Sequence, residues 1–125
     1  MSRFVLVIDD DEIVRHTVQQ ILQGENYDVV SAADGKRGMQ LFRALQPDLV
    51  ITDIIMPEQE GIETILQMRT EQPDAKIIAI SGGARIGNAD FLAIARKLGA
   101  CDGLAKPFDP DELVASVQKC MNASR

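Results

Sequence analysis

Leu49-Val50-Ile51-Thr52-Asp53-Ile54-Ile55-Met56-Pro57 is an apolar run that meets one carboxylate and then breaks at a proline. Almost wholly apolar up to Thr52, it suits a strand covered on both faces. Asp53 then lies at the carboxyl end of that strand, the edge where open α/β sheets bind ligands. An aspartate there can equally open a turn. The meaning of Asp53 therefore depends on what the rest of the chain brings to the same edge.

Upstream, Phe4–Ile8 is a short β-type run that ends in Asp9-Asp10-Asp11-Glu12. Ile13, Val14, Val18, Ile21 and Leu22 then recur at a helical period, and Gly24 can close that helix. Asp11 reads first as the cap of this helix. Tyr27–Ala32 is a second strand, and Asp34 caps a helix over about Gly35–Leu45 that Pro47 ends. Downstream of the opening stretch, Gly61–Thr70 is helical and Lys76–Ser81 is a fourth strand. Gly82–Gly87 is a loop, and Asn88 is expected to cap a helix running to Gly99. Gly103–Lys106 is a short fifth strand. Asp109-Pro110-Asp111-Glu112 supplies cap, proline at the first helical position and an acid at the third, starting a helix that runs to about Met121.

Strands and helices thus alternate five times with short connections. That pattern predicts an α/β fold, a five-stranded parallel sheet wound on both faces in flavodoxin-like (βα)5 fashion, with strand order 2-1-3-4-5. One domain over residues 1–125, with its core about 3–121, accounts for the length. Hydrophobic residues make up 46% and include one Tyr, four Phe and no Trp, so the expected core is aliphatic. The net charge of −6 argues against nucleic acid and against an anionic membrane surface. Met1-Ser2-Arg3 leads straight into a strand, so no signal peptide is expected and the predicted location is cytoplasmic. Cys101 and Cys120 read as two separate, reduced packing residues. His16 reads as an ordinary surface or packing residue, and the methionines as filler.

In that strand order, Asp9, Asp10, Asp53, Ser81 and Lys106 all reach one edge of the sheet. Carboxylates a few ångströms apart repel by about 4 kcal/mol per pair at a surface-like dielectric. A hard divalent cation with oxygen ligands is the natural remedy. Ser81 and Lys106 read as donors to anionic oxygens. The set points to a carboxylate nucleophile attacking phosphorus, with Mg²⁺ and lysine neutralising the transferring group.

The chain resembles the receiver domains of two-component response regulators, here as a stand-alone domain. The motifs are Val7-Ile8-Asp9-Asp10, Thr52-Asp53-Ile54-Ile55-Met56-Pro57, Ile80-Ser81-Gly82 and Lys106-Pro107-Phe108. The resemblance implies Asp53 as phosphoacceptor and Asp10 as direct metal ligand. Asp9 would act partly through water, with Asp53 and the Ile55 carbonyl completing the protein ligands of Mg²⁺, for which Mn²⁺ can substitute. Ser81, Gly82 and Lys106 would surround the phosphoryl group, across a cis Lys106–Pro107 bond. The donor would be a histidine kinase or phosphotransfer protein docking near Ile13, Val14, Pro107 and Phe108. The protein would be a switch and not an enzyme. Its output would pass to an unnamed protein target or along a phosphorelay, through the fourth helix, fifth strand and fifth helix.

The match has one gap. Receivers usually carry an aromatic three residues before the strand-five lysine, and here that switch position is Gly103. Activation through the 82–88 loop and fourth helix is the expected substitute. Ile55 and Gly83 stand where receivers tune loss of the phosphoryl group, and neither can orient an attacking water. A pseudo-receiver that takes no phosphoryl group is the alternative. A haloacid-dehalogenase-like phosphatase built on Asp9-x-Asp11 is a remote one, since Glu12 is wrong for its motif. A phosphate loop at Gly82–Gly87 fails because Asn88 stands where lysine is required.

Overall fold

In the computed structural model, which describes residues 3–54, 60–82 and 88–123, five strands alternate with five helices. In chain order these are β1 (Arg3–Ile8), α1 (Glu12–Gly24), β2 (Tyr27–Ala32), α2 (Gly35–Leu45) and β3 (Leu49–Asp53). There follow α3 (Glu60–Glu71), β4 (Ile77–Ser81), α4 (Asn88–Lys97), β5 (Asp102–Ala105) and α5 (Pro110–Asn122). Every pairing is parallel and the order is β2-β1-β3-β4-β5, as the alternation predicts. The side chains of 60 and 88–92 lie outside the description.

The strands are apolar at consecutive positions because both sheet faces are covered. In β1, Val5 and Val7 pack with Val18 and Leu22 of α1 and Leu113 and Val117 of α5. Leu6 and Ile8 point the other way, toward Met39 and Phe42 of α2 and Ile65 and Met68 of α3. Alternate strand side chains thus feed two cores. Each buried aliphatic is worth about 1.5–3 kcal/mol, so a register slip in a central strand is heavily disfavoured. The sheet edge that results is fixed by apolar packing, not by the polar residues it carries.

Local signals set the boundaries. Asp11 caps α1 by accepting from the N–H groups of Ile13 and Val14, and Asp34 caps α2 by accepting from Arg37. Asp109 and Glu112 form a full capping box on α5. Gly24 is the last residue of α1 rather than its left-handed cap, and Asn26 takes the positive φ instead (70°). β5 begins at Asp102 and ends at Ala105, so Lys106 stands just past the strand. Helix α4 already includes Asn88, whose capping role, like Ile55 and Gly83, lies outside the described residues.

The cysteines require a correction. Cys101 and Cys120 are joined by a disulfide rather than standing apart as reduced packing residues. The fold lays the last turns of α5 over the start of β5, and a separation of 19 residues in sequence carries no sign of that closeness.

Candidate functional site

Register places the polar residues. Ile8 pairs with Thr52, Asp53 with Ile80, and Ser81 with Ala105, so the residue after each pairing emerges at the same sheet edge. Asp9 and Asp53 end buried there, at 0% and 3% exposure, while Asp10 is exposed. Ser81 is fully buried and its carbonyl accepts from the Lys106 N–H at 2.7 Å. That bond ties the end of β4 to the residue that carries the ammonium.

Lys106 Nζ stands between two carboxylates, 2.8 Å from Asp9 Oδ2 and 2.9 Å from Asp53 Oδ2. It donates a well-directed hydrogen bond to Asp53. Toward Asp9 the approach is close but poorly directed, so buried Asp9 Oδ2 receives no proper hydrogen bond among the described residues. The other Asp9 oxygen accepts from the Asp11 N–H at 2.8 Å. Burial pushes the Asp9 carboxyl above the usual carboxylate range, and Lys106 and the Asp11 N–H only partly offset this. Burial works against the Lys106 charge, yet the close Asp9 and Asp53 carboxylates hold the ammonium above its ordinary value.

The donor set fits a hard cation. Asp9, Asp10 and Asp53 each offer a carboxylate oxygen, all within 4.8 Å of one another. Among the described residues, one of these carboxylates keeps a buried oxygen without a directed donor, the kind of atom a cation satisfies.

Asp9, Asp10, Asp53, Ser81 and Lys106 therefore meet as the strand order predicts, and the Lys106–Pro107 bond is cis. Gly82 is exposed, beside a groove of about 370 Å³ that Ile13, Val14, Lys106, Pro107 and Phe108 also line. Gly103 lies farther back, paired with Ala79, where a cavity of about 60 Å³ opens toward Arg96 and Lys119.

Two supporting residues carry no mark in the sequence. Arg15 of α1 donates to the Asp9 carbonyl at 2.7 Å, holding the turn after β1. Gly61 of α3 packs so closely on β3 that a Cβ there would overlap the Asp53 carbonyl oxygen. A glycine near a helix start is too common to reveal such an approach, and an arginine one turn beyond an acidic run reads as a surface charge.

Comparison with known proteins agrees with this geometry. The family model of the response regulator receiver domain matches residues 5–118. The chemotaxis protein CheY of Thermotoga maritima is 34% identical over 120 residues, covering 95% of this chain and 98% of that protein. The alkaline phosphatase synthesis transcriptional regulatory protein PhoP of Bacillus subtilis is 32% identical over 124 residues, covering 99% of this chain but 50% of the relative. Among solved structures, the CheY-like response regulator receiver domain protein of Methanospirillum hungatei JF-1 superposes with a TM-score of 0.87 at 26% identity, over 98% of this chain and 95% of that one. An acidic sheet edge bridged by lysine, a 2-1-3-4-5 sheet and a family match over nearly the whole chain lead to one conclusion: this chain belongs to the response regulator receiver domains of two-component systems.

Proposed function

We propose that Asp53 accepts a phosphoryl group from a phosphohistidine of a kinase or phosphotransfer protein. The observation that carries this reading is Lys106, set between Asp9 and Asp53 at 2.8 and 2.9 Å, beside a buried carboxylate oxygen that receives no directed hydrogen bond among the described residues. Asp9, Asp10 and Asp53, with the Ile55 carbonyl, would hold Mg²⁺ or in its place Mn²⁺, which would neutralise the carboxylates and the incoming phosphoryl oxygens.

In the step itself, an Asp53 carboxylate oxygen attacks phosphorus. The new O–P bond forms as the N–P bond of phosphohistidine breaks. Its electron pair stays on the imidazole nitrogen, which takes up a proton. Lys106 exchanges carboxylate contact for phosphoryl oxygens, and the Ser81 hydroxyl and the backbone at Gly82 close around the group. Ile13, Val14, Pro107 and Phe108 border the same edge, where the donor would dock. The protein acts as a switch that keeps its phosphoryl group until water or a relay partner removes it, and its target is another protein. This reading places it in the cytoplasm with its donor; among the described residues no helix is long and apolar enough to cross a membrane.

Intact mass after acetyl phosphate and Mg²⁺ tests the reading on wild type and Asp53→Asn. One added phosphoryl mass on wild type, absent from Asp53→Asn, is expected. Wild type without added mass would leave the chain as a receiver-like interaction module that takes no phosphoryl group.

A further inference from the structure

The structure assigns a second chemical site at the opposite side of the β5 edge: Cys101 and Cys120 form a reversible thiol–disulfide pair that controls how firmly β5 and α5 are held together. This goes beyond phosphorylation and uses none of its residues.

The two sulfurs have unequal access. Cys120 is fully buried, against Leu113 and Val117. Cys101 is only partly buried and borders two surface cavities, of about 300 and 60 Å³. An outside thiol or disulfide therefore meets Cys101 first. The Cα atoms are 6.0 Å apart, a separation that suits a disulfide and equally suits two packed thiols. Cys101 also packs on the same apolar cluster as Cys120, so opening the bond removes a staple and leaves the core in place.

The backbone around the pair shows what the bond connects. The Cys101 N–H donates to the Ile77 carbonyl at 2.7 Å, which anchors this sulfur to the sheet. Cys120 belongs to the last turn of α5. One residue from Cys101, Asp102 accepts from the Ser116 hydroxyl at 2.7 Å and lies 3.7 Å from Lys119. The closed loop holds all of β5, Lys106 and most of α5. Of the described strands, β5 is the shortest, with four residues, and lies at the sheet edge beside β4 alone. It has the least packing to hold it, so a covalent tie there changes its freedom more than it would in a central strand.

The exchange balances with an external disulfide as oxidant. The Cys101 thiolate attacks one sulfur of that disulfide, releasing one thiolate and leaving a mixed disulfide. The Cys120 thiolate then attacks the Cys101 sulfur, forms the internal bond and releases the second thiolate. Two electrons pass to the external disulfide, and the two protons lost by the cysteines go to the released thiolates.

Glutathione and its disulfide are the probes. The full chain is equilibrated across a series of ratios, alkylated and weighed intact. Both thiols are expected to disappear together at high disulfide and return together at high thiol. With Cys120→Ser, a glutathione adduct is expected to collect on Cys101; with Cys101→Ser, buried Cys120 should take up little. Melting of the oxidised wild type is expected about 5–10 °C above the reduced form. Amides of 101–105 and 118–122 should exchange at least roughly tenfold faster after reduction. Thiols that stay alkylatable at every ratio, a bond that resists reduction at every ratio, or equal exchange in the two forms would each overturn the assignment. No phosphoryl donor is present, so failure here is separate from failure of the phosphoacceptor reading.

Discussion

Asp9 carries an electrostatic cost at the site. It is fully buried, shares Lys106 with Asp53, and has its carboxyl raised by burial. A carboxyl whose folded value is raised helps stability below the ordinary range near 3.8 and loses that help as pH rises through the folded value. Ionised Asp9 thus weakens the metal-free protein at neutral pH. Asp9→Asn is expected to stabilise the protein in EDTA at pH 7 by about 1 kcal/mol, within the ordinary range for single substitutions. In urea melts the gap between variant and wild type should shrink as pH falls toward 4, and Mg²⁺ should stabilise wild type more than the variant. A variant less stable than wild type at pH 7 would refute this account. The prominence of Asp9 was only half visible in the sequence. Its place at the sheet edge follows from the apolar run before it. The missing directed bond to Oδ2 depends on side-chain angles that no residue pattern encodes.

Helix placement decides how rigidly those carboxylates are held. The first turn of α3 lies against the end of β3, and Gly61 allows the approach because it has no Cβ. In Gly61→Ala the new atom would meet the Asp53 carbonyl and lie 2.6 Å from the Ile54 Cα, both backbone positions that cannot rotate away. Separating helix from strand should cost about 2–3 kcal/mol, read as a lower urea midpoint, and should weaken Mg²⁺ binding because Asp53 moves with its backbone. An unchanged midpoint would show that α3 shifts freely. On the other face, α1 and the segment after β5 form the groove beside Lys106, and Ile13 there is 77% exposed. An apolar side chain left this open on α1 suits contact with a partner. Ile13→Asp is expected to slow phosphoryl transfer from a histidine phosphotransfer protein by about tenfold, a loss near 1.4 kcal/mol of docking. Transfer from acetyl phosphate should be unchanged, because so small a donor needs no groove. Equal slowing with both donors would place the effect of Ile13 in the fold.

The order of the whole sheet was legible because it rests on period: five short strand-like runs, each followed by a helical one, admit few parallel topologies. The five polar residues at its edge were legible for the same reason, since each directly ends or follows such a run. The cysteine pair and the Gly61 contact were not, because both depend on how closely a helix packs against a strand, which no residue spacing encodes. Gly103 raises the question the architecture must answer. β5 lies at the sheet edge beside β4 alone, and Gly103 has no side chain to report events at Asp53. The Lys106 backbone is tied to the end of β4 by its N–H bond to the Ser81 carbonyl. A lysine drawn from Asp9 toward a phosphoryl group on Asp53 therefore pulls on Ser81 and on the chain leading to α4. Amides of 88–98 are then expected to change protection when Mg²⁺ and a beryllium fluoride mimic of the phosphoryl group are added, while those of α2 stay as they were. Hydrogen exchange read by mass spectrometry with and without the mimic decides it. If α4 is unchanged while calorimetry shows the mimic bound, the signal does not travel through β4 and α4. The groove beside α1 would then be the surface left to carry it.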